Sequence, residues 1–195
     1  MNYLAHAYLS FNQPELLVGN MISDFVKGKK KYDYTEGIQK GIALHRAIDT
    51  FTDEHTATKA AKEVFRPAYR LYSAAFVDVV FDHFLATDAT HFSNESLLAF
   101  AKNTYKSLDN YTDFLPERFA RMFPYMKEQN WLYNYHTRWG IEKSLGGVVR
   151  RSAYLTESDT AFRLFEEHYT FLKESYQLFF PELYDFAKQE FQKIK

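Results

Sequence analysis

Apolar residues recur three or four positions apart along most of this 195-residue chain. This spacing matches one face of an α-helix, whereas a half-buried β-strand would alternate apolar and polar residues. No alternating run rich in Val and Ile is long enough for a strand. The pattern therefore predicts an all-α fold, a helical bundle.

Proline, glycine and capping residues set the boundaries of the predicted helices. The main predicted helices cover roughly residues 14–28, 35–53, 73–87, 93–109, 116–129 and 156–180. Pro67 is expected to break one further helical stretch, and Pro181 to end the last long helix. No linker or internal repeat divides the chain, so we expect a single domain over residues 1–195.

The composition is that of a protein with a substantial core. Hydrophobic residues make up 46% and aromatic residues 18% of the chain, so long disordered stretches are not expected. Cysteine is absent, which excludes disulfides and thiolate metal ligands and suits a reducing compartment. No apolar run approaches membrane-spanning length. We therefore expect a soluble, cytoplasmic protein with no membrane partner.

Positive charge is clustered although the net charge is only −1. The balance gives no overall attraction to nucleic acid. Lys29, Lys30 and Lys31 form one basic run, and Arg150 and Arg151 form a second. Such runs are usually solvated faces, and the alternative is a docking surface for an acidic partner.

Four polar pairs interrupt the apolar stretches, each with the four-residue spacing that places two side chains on one helix face. They are Asn2/His6, Asn20/Asp24, His45/Asp49 and Asp78/Asp82, the last followed by His83. Buried carboxylates and imidazoles without partners cost roughly several kcal/mol each. We therefore expect the pairs to face each other or a cation.

Each of these residues also has a plain structural interpretation. His6 could be a hydrogen-bonded core histidine, and Asp49 could simply hold Arg46 or a lysine. Asp78 and Asp82 are harder to explain, since like charges at this spacing destabilise a helix and a metal between them would reverse that effect. One structural explanation for all four pairs is less economical than a shared metal site.

Oxygen and nitrogen ligands without sulfur suit Mn²⁺, Fe²⁺, Zn²⁺ or Mg²⁺. A divalent metal so held favours hydrolysis of a phosphate ester. His45 and His83 are candidates to protonate the leaving group or orient the water. Arg46, Arg150 and Arg151 are candidates to bind phosphate oxygens, which a planar guanidinium fits well.

Four segments of this sequence resemble the acyl carrier protein phosphodiesterases. They are residues 1–6 (MNYLAH), 19–28 (GNMISDFVKG), 41–49 (GIALHRAID) and 78–85 (DVVFDHFL). That family resembles a non-standard branch of the HD-domain phosphohydrolases. The resemblance implies removal of the 4′-phosphopantetheine arm from holo acyl carrier protein, with Mn²⁺ as the activating ion. An acidic carrier protein would match the basic clusters.

The resemblance also implies a ligand set. His6 would be the first HD-type ligand, Asp24 the aspartate of the His-Asp doublet, and Asp78 or Asp82 the distal aspartate. Ser23 stands where that doublet has histidine, which makes His45 an alternative ligand and leaves one or two metals open.

Two other functions fit the residues. The same metal site could act on a nucleotide or alarmone phosphate. The chain could also be a helical binding module without catalysis, in which case the four polar pairs would be exposed and scattered.

Overall fold

The computed structural model describes residues 1–194 and confirms the predicted all-α fold, with no strand among these residues. The single domain over residues 1–195 stays a prediction, and Lys195 lies outside the described residues. The α-helices are α1 (Tyr3–Tyr8), α2 (Pro14–Ile22), α3 (Glu36–Glu54), α4 (Thr56–Tyr69), α5 (Ser73–Thr87), α6 (Asn94–Asp109), α7 (Glu117–Glu128), α8 (Trp131–Asn134), α9 (Arg138–Arg151), α10 (Asp159–Glu167) and α11 (Tyr169–Ile194).

Helix α5 is the most thoroughly buried element. Seven of its apolar side chains are almost inaccessible to solvent: Phe76, Val77, Val79, Val80, Phe81, Phe84 and Leu85. It contacts α1, α4, α9 and α11, so the other helices pack around it. A helix that is apolar on all sides is stable only in such a central position. Within the described residues, none of the helices is sufficiently long and apolar to cross a membrane.

A close crossing of α2 and α3 sets the geometry of the polar residues. Gly19 and Gly41 face each other, and a Cβ at Gly19 would collide with the carbonyl oxygen of Ile38. A Cβ at Gly41 would likewise collide with the carbonyl oxygen of Leu16. Because both residues are glycine, the two backbones approach closely enough for side chains of α3 to bond the backbone of α2.

The helix predicted over residues 14–28 is shorter in the structure. It ends at Ile22, and 3₁₀ turns follow at Ser23–Phe25 and Gly28–Asp33. Val26 is buried, and its backbone N–H bonds the carbonyl oxygen of Ser23, which holds the chain in the tighter turn. Asp24 therefore lies on a 3₁₀ turn after α2 rather than in the second half of a helix.

Two prolines lie inside helices. Pro67 sits in the last turn of α4, and the break that was predicted there follows at Arg70, whose φ is 48°. The prediction that Pro181 ends the last helix is wrong, because α11 continues to Ile194. Buried side chains on both sides of Pro181, including Phe180 and Leu183, keep the helix packed through the proline.

Candidate metal centre

Four polar side chains from three elements converge at one end of α1. His6 comes from α1, His45 and Asp49 come from α3, and Asp24 comes from the turn after α2. The His45 Nε2 atom lies 3.0 Å from Asp49 Oδ2 and 3.2 Å from Asp24 Oδ1. The His6 Nε2 atom lies 3.2 Å from Asp49 Oδ1. Ligand atoms of His6, His45 and Asp49 all lie within 4.8 Å of one another.

The four side chains of the centre differ in their exposure to solvent. His6 and His45 are almost fully buried, and their rings stack with centroids 3.9 Å apart. The Asp49 side chain is 40% exposed and that of Asp24 is 71% exposed. The imidazoles therefore form the floor of the centre, and the carboxylates form its opening.

Asn20 orients both histidines. Its side-chain Nδ2 donates to the carbonyl oxygen of His6 and to Ser10 Oγ, which leaves Asn20 Oδ1 to accept from His6 Nδ1 at 2.8 Å. The backbone carbonyl oxygen of Asn20 accepts from His45 Nδ1 at 2.7 Å. With Nδ1 as the donor in each ring, the lone pair of each neutral imidazole lies on Nε2, facing Asp49.

This arrangement fits a metal cation. His6 Nε2 is buried and lies 3.2 Å from Asp49 Oδ1, but the two atoms do not form a hydrogen bond of good geometry. A lone pair facing a carboxylate is unfavourable without a positive charge between them. A hydrogen bond from the second ring nitrogen to a carbonyl is also the usual support of a metal-ligating histidine.

The pKa values indicate which groups of the centre carry a proton when no metal is bound. Burial lowers the pKa of His45, but hydrogen bonds to Asp24 and Asp49 outweigh burial and raise it to about 9. Burial and the neighbouring His45 lower the pKa of His6 to about 4. Burial acts against ionisation of Asp49, but its interactions with His45 and the neighbouring His6 hold its pKa well below the usual range. A proton on His45 Nε2 thus occupies the position between the two carboxylates.

The predicted ligands Asp78 and Asp82 lie outside this group and have other partners. Asp82 is fully buried and accepts hydrogen bonds from three backbone N–H groups at the start of α1, those of Asn2, Leu4 and Ala5, at 2.7 to 3.3 Å. Asp78 accepts a hydrogen bond from the Met1 backbone nitrogen at 3.0 Å. Asp82 therefore caps the N-terminus of the helix that carries His6.

Burial is the reason that Asp82 does not titrate normally. It raises the pKa of the Asp82 carboxyl group to about 7, against the opposing effect of the Met1 nitrogen and the three N–H groups. Two carboxylates predicted to share a metal instead bond the backbone at the start of α1, Asp82 as a helix cap and Asp78 at the Met1 nitrogen.

The predicted catalytic residue His83 packs in the apolar core. Its Nδ1 donates to the carbonyl oxygen of Tyr135 at 2.7 Å, and its ring makes edge contacts with Phe84, Phe165 and Tyr169. None of these contacts involves the candidate metal centre. His83 thus connects α5 to the residue after α8 and to α11.

The basic residues predicted to bind substrate lie in two places. Arg46 is exposed beside His45, and its Nη2 donates to the carbonyl oxygen of Val26, just after Asp24. Lys29, Lys30 and Lys31 follow on the second 3₁₀ turn, where the first two are exposed and the third is half-buried.

Arg150 and Arg151 lie in the last turn of α9. They line a groove together with Trp131 and Trp139. The sequence analysis did not include these tryptophans among the candidate site residues. It also noted the His45/Asp49 spacing but did not include Asp49 in the ligand set.

Comparison with known proteins now gives the family. The model for acyl carrier protein phosphodiesterases matches residues 1–183. The chain belongs to this family. It is 31% identical over 191 residues to the acyl carrier protein phosphodiesterase of an Enterobacter species, covering 97% of this chain and 99% of the relative.

Other members of the family are similarly related. The acyl carrier protein phosphodiesterase of Photorhabdus laumondii is 29% identical over 191 residues, covering 97% of this chain and 96% of the relative. That of Klebsiella pneumoniae is 30% identical over the same length. No solved structure matches the chain, so the resemblance to HD-domain hydrolases stays a prediction.

Family membership confirms that the chain is an enzyme, a phosphodiesterase. The interpretation as a binding module without catalysis is therefore wrong. The polar pairs are not scattered either, since members of three of the four meet in the candidate metal centre.

Proposed function

We propose that this phosphodiesterase hydrolyses the bond between 4′-phosphopantetheine and holo acyl carrier protein, giving the apo form, with a divalent metal such as Mn²⁺ as cofactor. The observation that carries the proposal is the convergence of His6, His45 and Asp49, with the Nε2 atoms of both imidazoles facing one carboxylate. The names of the relatives support the choice of substrate.

His6, His45 and Asp49 would hold the metal, and Asp24 would complete the set from the open side. When bound, a divalent ion supplies positive charge for the phosphoryl oxygens and lowers the pKa of water at the site. His45 would have to lose the proton on Nε2 to serve as a metal ligand, so metal binding would depend on pH. Asp78, Asp82 and His83 contribute to the fold around the centre.

The residues around the opening suit the substrate. The pKa of Asp24 is lowered by its hydrogen bond to His45, so this exposed carboxylate is ionised at neutral pH and can hold a metal or accept a proton from water. The Arg46 guanidinium, held over Val26, is placed to bind a phosphate oxygen. Lys29, Lys30 and Lys31 lie beside Asp24 in sequence, where they would attract an acidic carrier protein.

Mass spectrometry of holo acyl carrier protein incubated with the enzyme and Mn²⁺ tests the proposal. We expect loss of the mass of the 4′-phosphopantetheine arm and no change without metal. Asp49→Asn should reduce the rate about a thousandfold, because a metal ligand becomes a neutral amide. Asp53→Asn is the matched control: it lies one turn further along α3, exposed and paired with Lys62, and should behave as wild type.

Intact holo carrier protein after incubation with metal-loaded enzyme would contradict the proposal. Hydrolysis of a nucleotide or alarmone by the same preparation would then favour the alternative substrate. Equal rates for Asp49→Asn and the wild-type enzyme would remove the candidate metal centre from the reaction.

A further inference from the structure

A groove runs beside the candidate metal centre, between α1, α7, α8 and α9. Its narrow part encloses about 490 Å³ and is lined by residues including Asn2, Tyr3, Tyr135 and Ser144. It widens over α7 into an open part of about 1370 Å³, bordered by Met122 and Tyr125. Trp131, Trp139, Lys143, Gly147, Arg150 and Arg151 line both parts. The two parts are therefore one continuous groove.

The narrow part lies near the candidate metal centre, although the side chains of the centre do not line it. Its wall includes Asn2, the residue after Met1, whose nitrogen lies 3.7 Å from Asp49 Oδ1. Tyr3 is also in the wall, and both Asp24 and Arg151 act electrostatically on its hydroxyl group. A molecule whose phosphate lies at the centre could therefore extend directly into the groove.

Several aromatic side chains of the groove are exposed to solvent rather than packed in the core. Trp139 is 51% exposed and Tyr125 58% exposed, and Trp131 is only partly buried. Exposed indole and phenol rings concentrated along one cleft are typical of a binding surface, because each ring offers a large apolar face at small entropic cost.

The groove is also strongly basic in a chain of net charge −1. Five of its lining residues are positive and none is acidic: Arg118, Arg121, Lys143, Arg150 and Arg151. Arg121 is paired with Glu117. For the other four, no carboxylate partner occurs among residues 1–194. A ligand of the groove should therefore be anionic.

The two consecutive glycines of α9 keep space beside these arginines. A Cβ at Gly147 would lie 3.3 Å from Arg151 Nη1 and 3.7 Å from Arg150 Nη2. Glycine inside a helix destabilises it by roughly 1 kcal/mol relative to alanine. Here it allows both guanidinium groups to lie against the helix at the floor of the groove.

We propose that this groove receives the pantetheine arm, with the phosphate end beside Arg151 and the candidate metal centre and the amide chain across Trp131 and Trp139. The inference rests on the proposed function, because it takes the holo carrier protein as substrate. The narrow part is lined by aromatic and small polar side chains and is confined enough to favour a slender chain such as the arm over a helix of the carrier protein. A linear chain of methylenes and amides with a phosphate at one end matches an aromatic, basic cleft.

Tryptophan fluorescence tests this directly, since both of the chain's tryptophans line the groove. Metal-free protein, which cannot turn over, is titrated with 4′-phosphopantetheine. We expect a saturable change in fluorescence, with much weaker binding of pantetheine, which lacks the phosphate. Inorganic phosphate alone should give no such change.

Trp139→Ala should weaken binding of 4′-phosphopantetheine about tenfold, observed through Trp131, and raise KM for holo carrier protein with little change in kcat. The matched control is Tyr154→Ala, which removes an aromatic side chain that is 84% exposed and lies outside the groove. This control should change neither value.

Two results would overturn the inference. One is hydrolysis of holo carrier protein with unchanged KM in Trp139→Ala and no fluorescence response to 4′-phosphopantetheine. The other is a full response to apo carrier protein, which has no arm, because the groove would then be a protein-docking surface. Failure of the proposed function looks different: 4′-phosphopantetheine would bind in the groove, but the arm would not be released.

Discussion

Two carboxylate sites lie beside the short helix α1, and their partners differ. Asp82 accepts hydrogen bonds from three backbone N–H groups. Asp49 instead faces the Nε2 atoms of two histidines whose Nδ1 atoms are the donors. The Asp82 carboxylate is satisfied by these N–H groups, whereas Asp49 and the two histidines form a group that could hold a cation. The partners of a buried carboxylate, rather than burial itself, therefore separate a structural role from a metal-binding role.

The largest expected effect that separates the two sites is on stability. Asp82→Ala should lower the free energy of unfolding of the metal-free protein by about 3 kcal/mol, because three buried N–H groups lose their acceptor and α1 loses its cap. Asp49→Ala should lower it by about 1 kcal/mol or less, because water can reach this half-exposed position. Urea denaturation with a chelator present measures both.

Equal losses in the two variants would contradict this comparison. If Asp82→Ala does not fold, Asp82→Asn is the milder variant, since one of its oxygens still accepts N–H hydrogen bonds. It should lose stability but keep its affinity for Mn²⁺.

The second effect is the pH dependence of stability without metal. The pKa of His45 is raised to about 9 in the folded protein and is about 6.5 when unfolded. The folded state therefore holds a proton that the unfolded state releases between these values. Its stabilising contribution is complete below about pH 6.5 and is lost as the pH rises through about 9.

His45→Gln should remove this contribution. The difference in free energy of unfolding between the wild-type protein and His45→Gln should shrink by more than about 1 kcal/mol from pH 6.5 to 9. Urea denaturation at several pH values in chelator measures it. A difference that stays constant over this range would mean that no proton lies between the carboxylates of Asp24 and Asp49.

The smallest expected effect is a change in KM. It tests whether the basic run of lysines after Asp24 acts separately from the Asp49 and Asp82 sites. Changing Lys29, Lys30 and Lys31 to Glu should raise KM for holo carrier protein about tenfold and weaken its salt dependence, with kcat nearly unchanged. Steady-state kinetics at several salt concentrations measure both parameters.

The control for this variant reverses three exposed lysines elsewhere, Lys102, Lys173 and Lys188, to give the same net charge. It should leave KM unchanged. Equal KM values in the two triple variants would show that total charge, rather than this basic run, governs docking.

The fold class and part of the candidate metal centre could be predicted from the sequence, because both depend on the spacing of residues within one helix. Apolar spacing indicates helices, and the four-residue spacing correctly placed His45 and Asp49 on one face of α3. The importance of Asp49 was missed, because spacing within one helix does not show which residues of other helices lie opposite.

The positions of Asp82 and Asp24 depended on tertiary structure in the same way. Asp82 accepts hydrogen bonds from backbone N–H groups of α1. Every residue except proline has such a group, so the sequence does not show which one a carboxylate will bind. Asp24 lies on a 3₁₀ turn because Val26 is buried, which helix-end signals alone do not reveal.

Binding of Mn²⁺ to metal-free protein, followed by electron paramagnetic resonance of the free ion, tests the central claim most directly. We expect saturable binding of Mn²⁺ to the wild-type protein and to Asp53→Asn and Asp82→Asn, and loss of binding in Asp49→Asn. Absence of binding to the wild-type protein, or equal binding to Asp49→Asn, would contradict the claim.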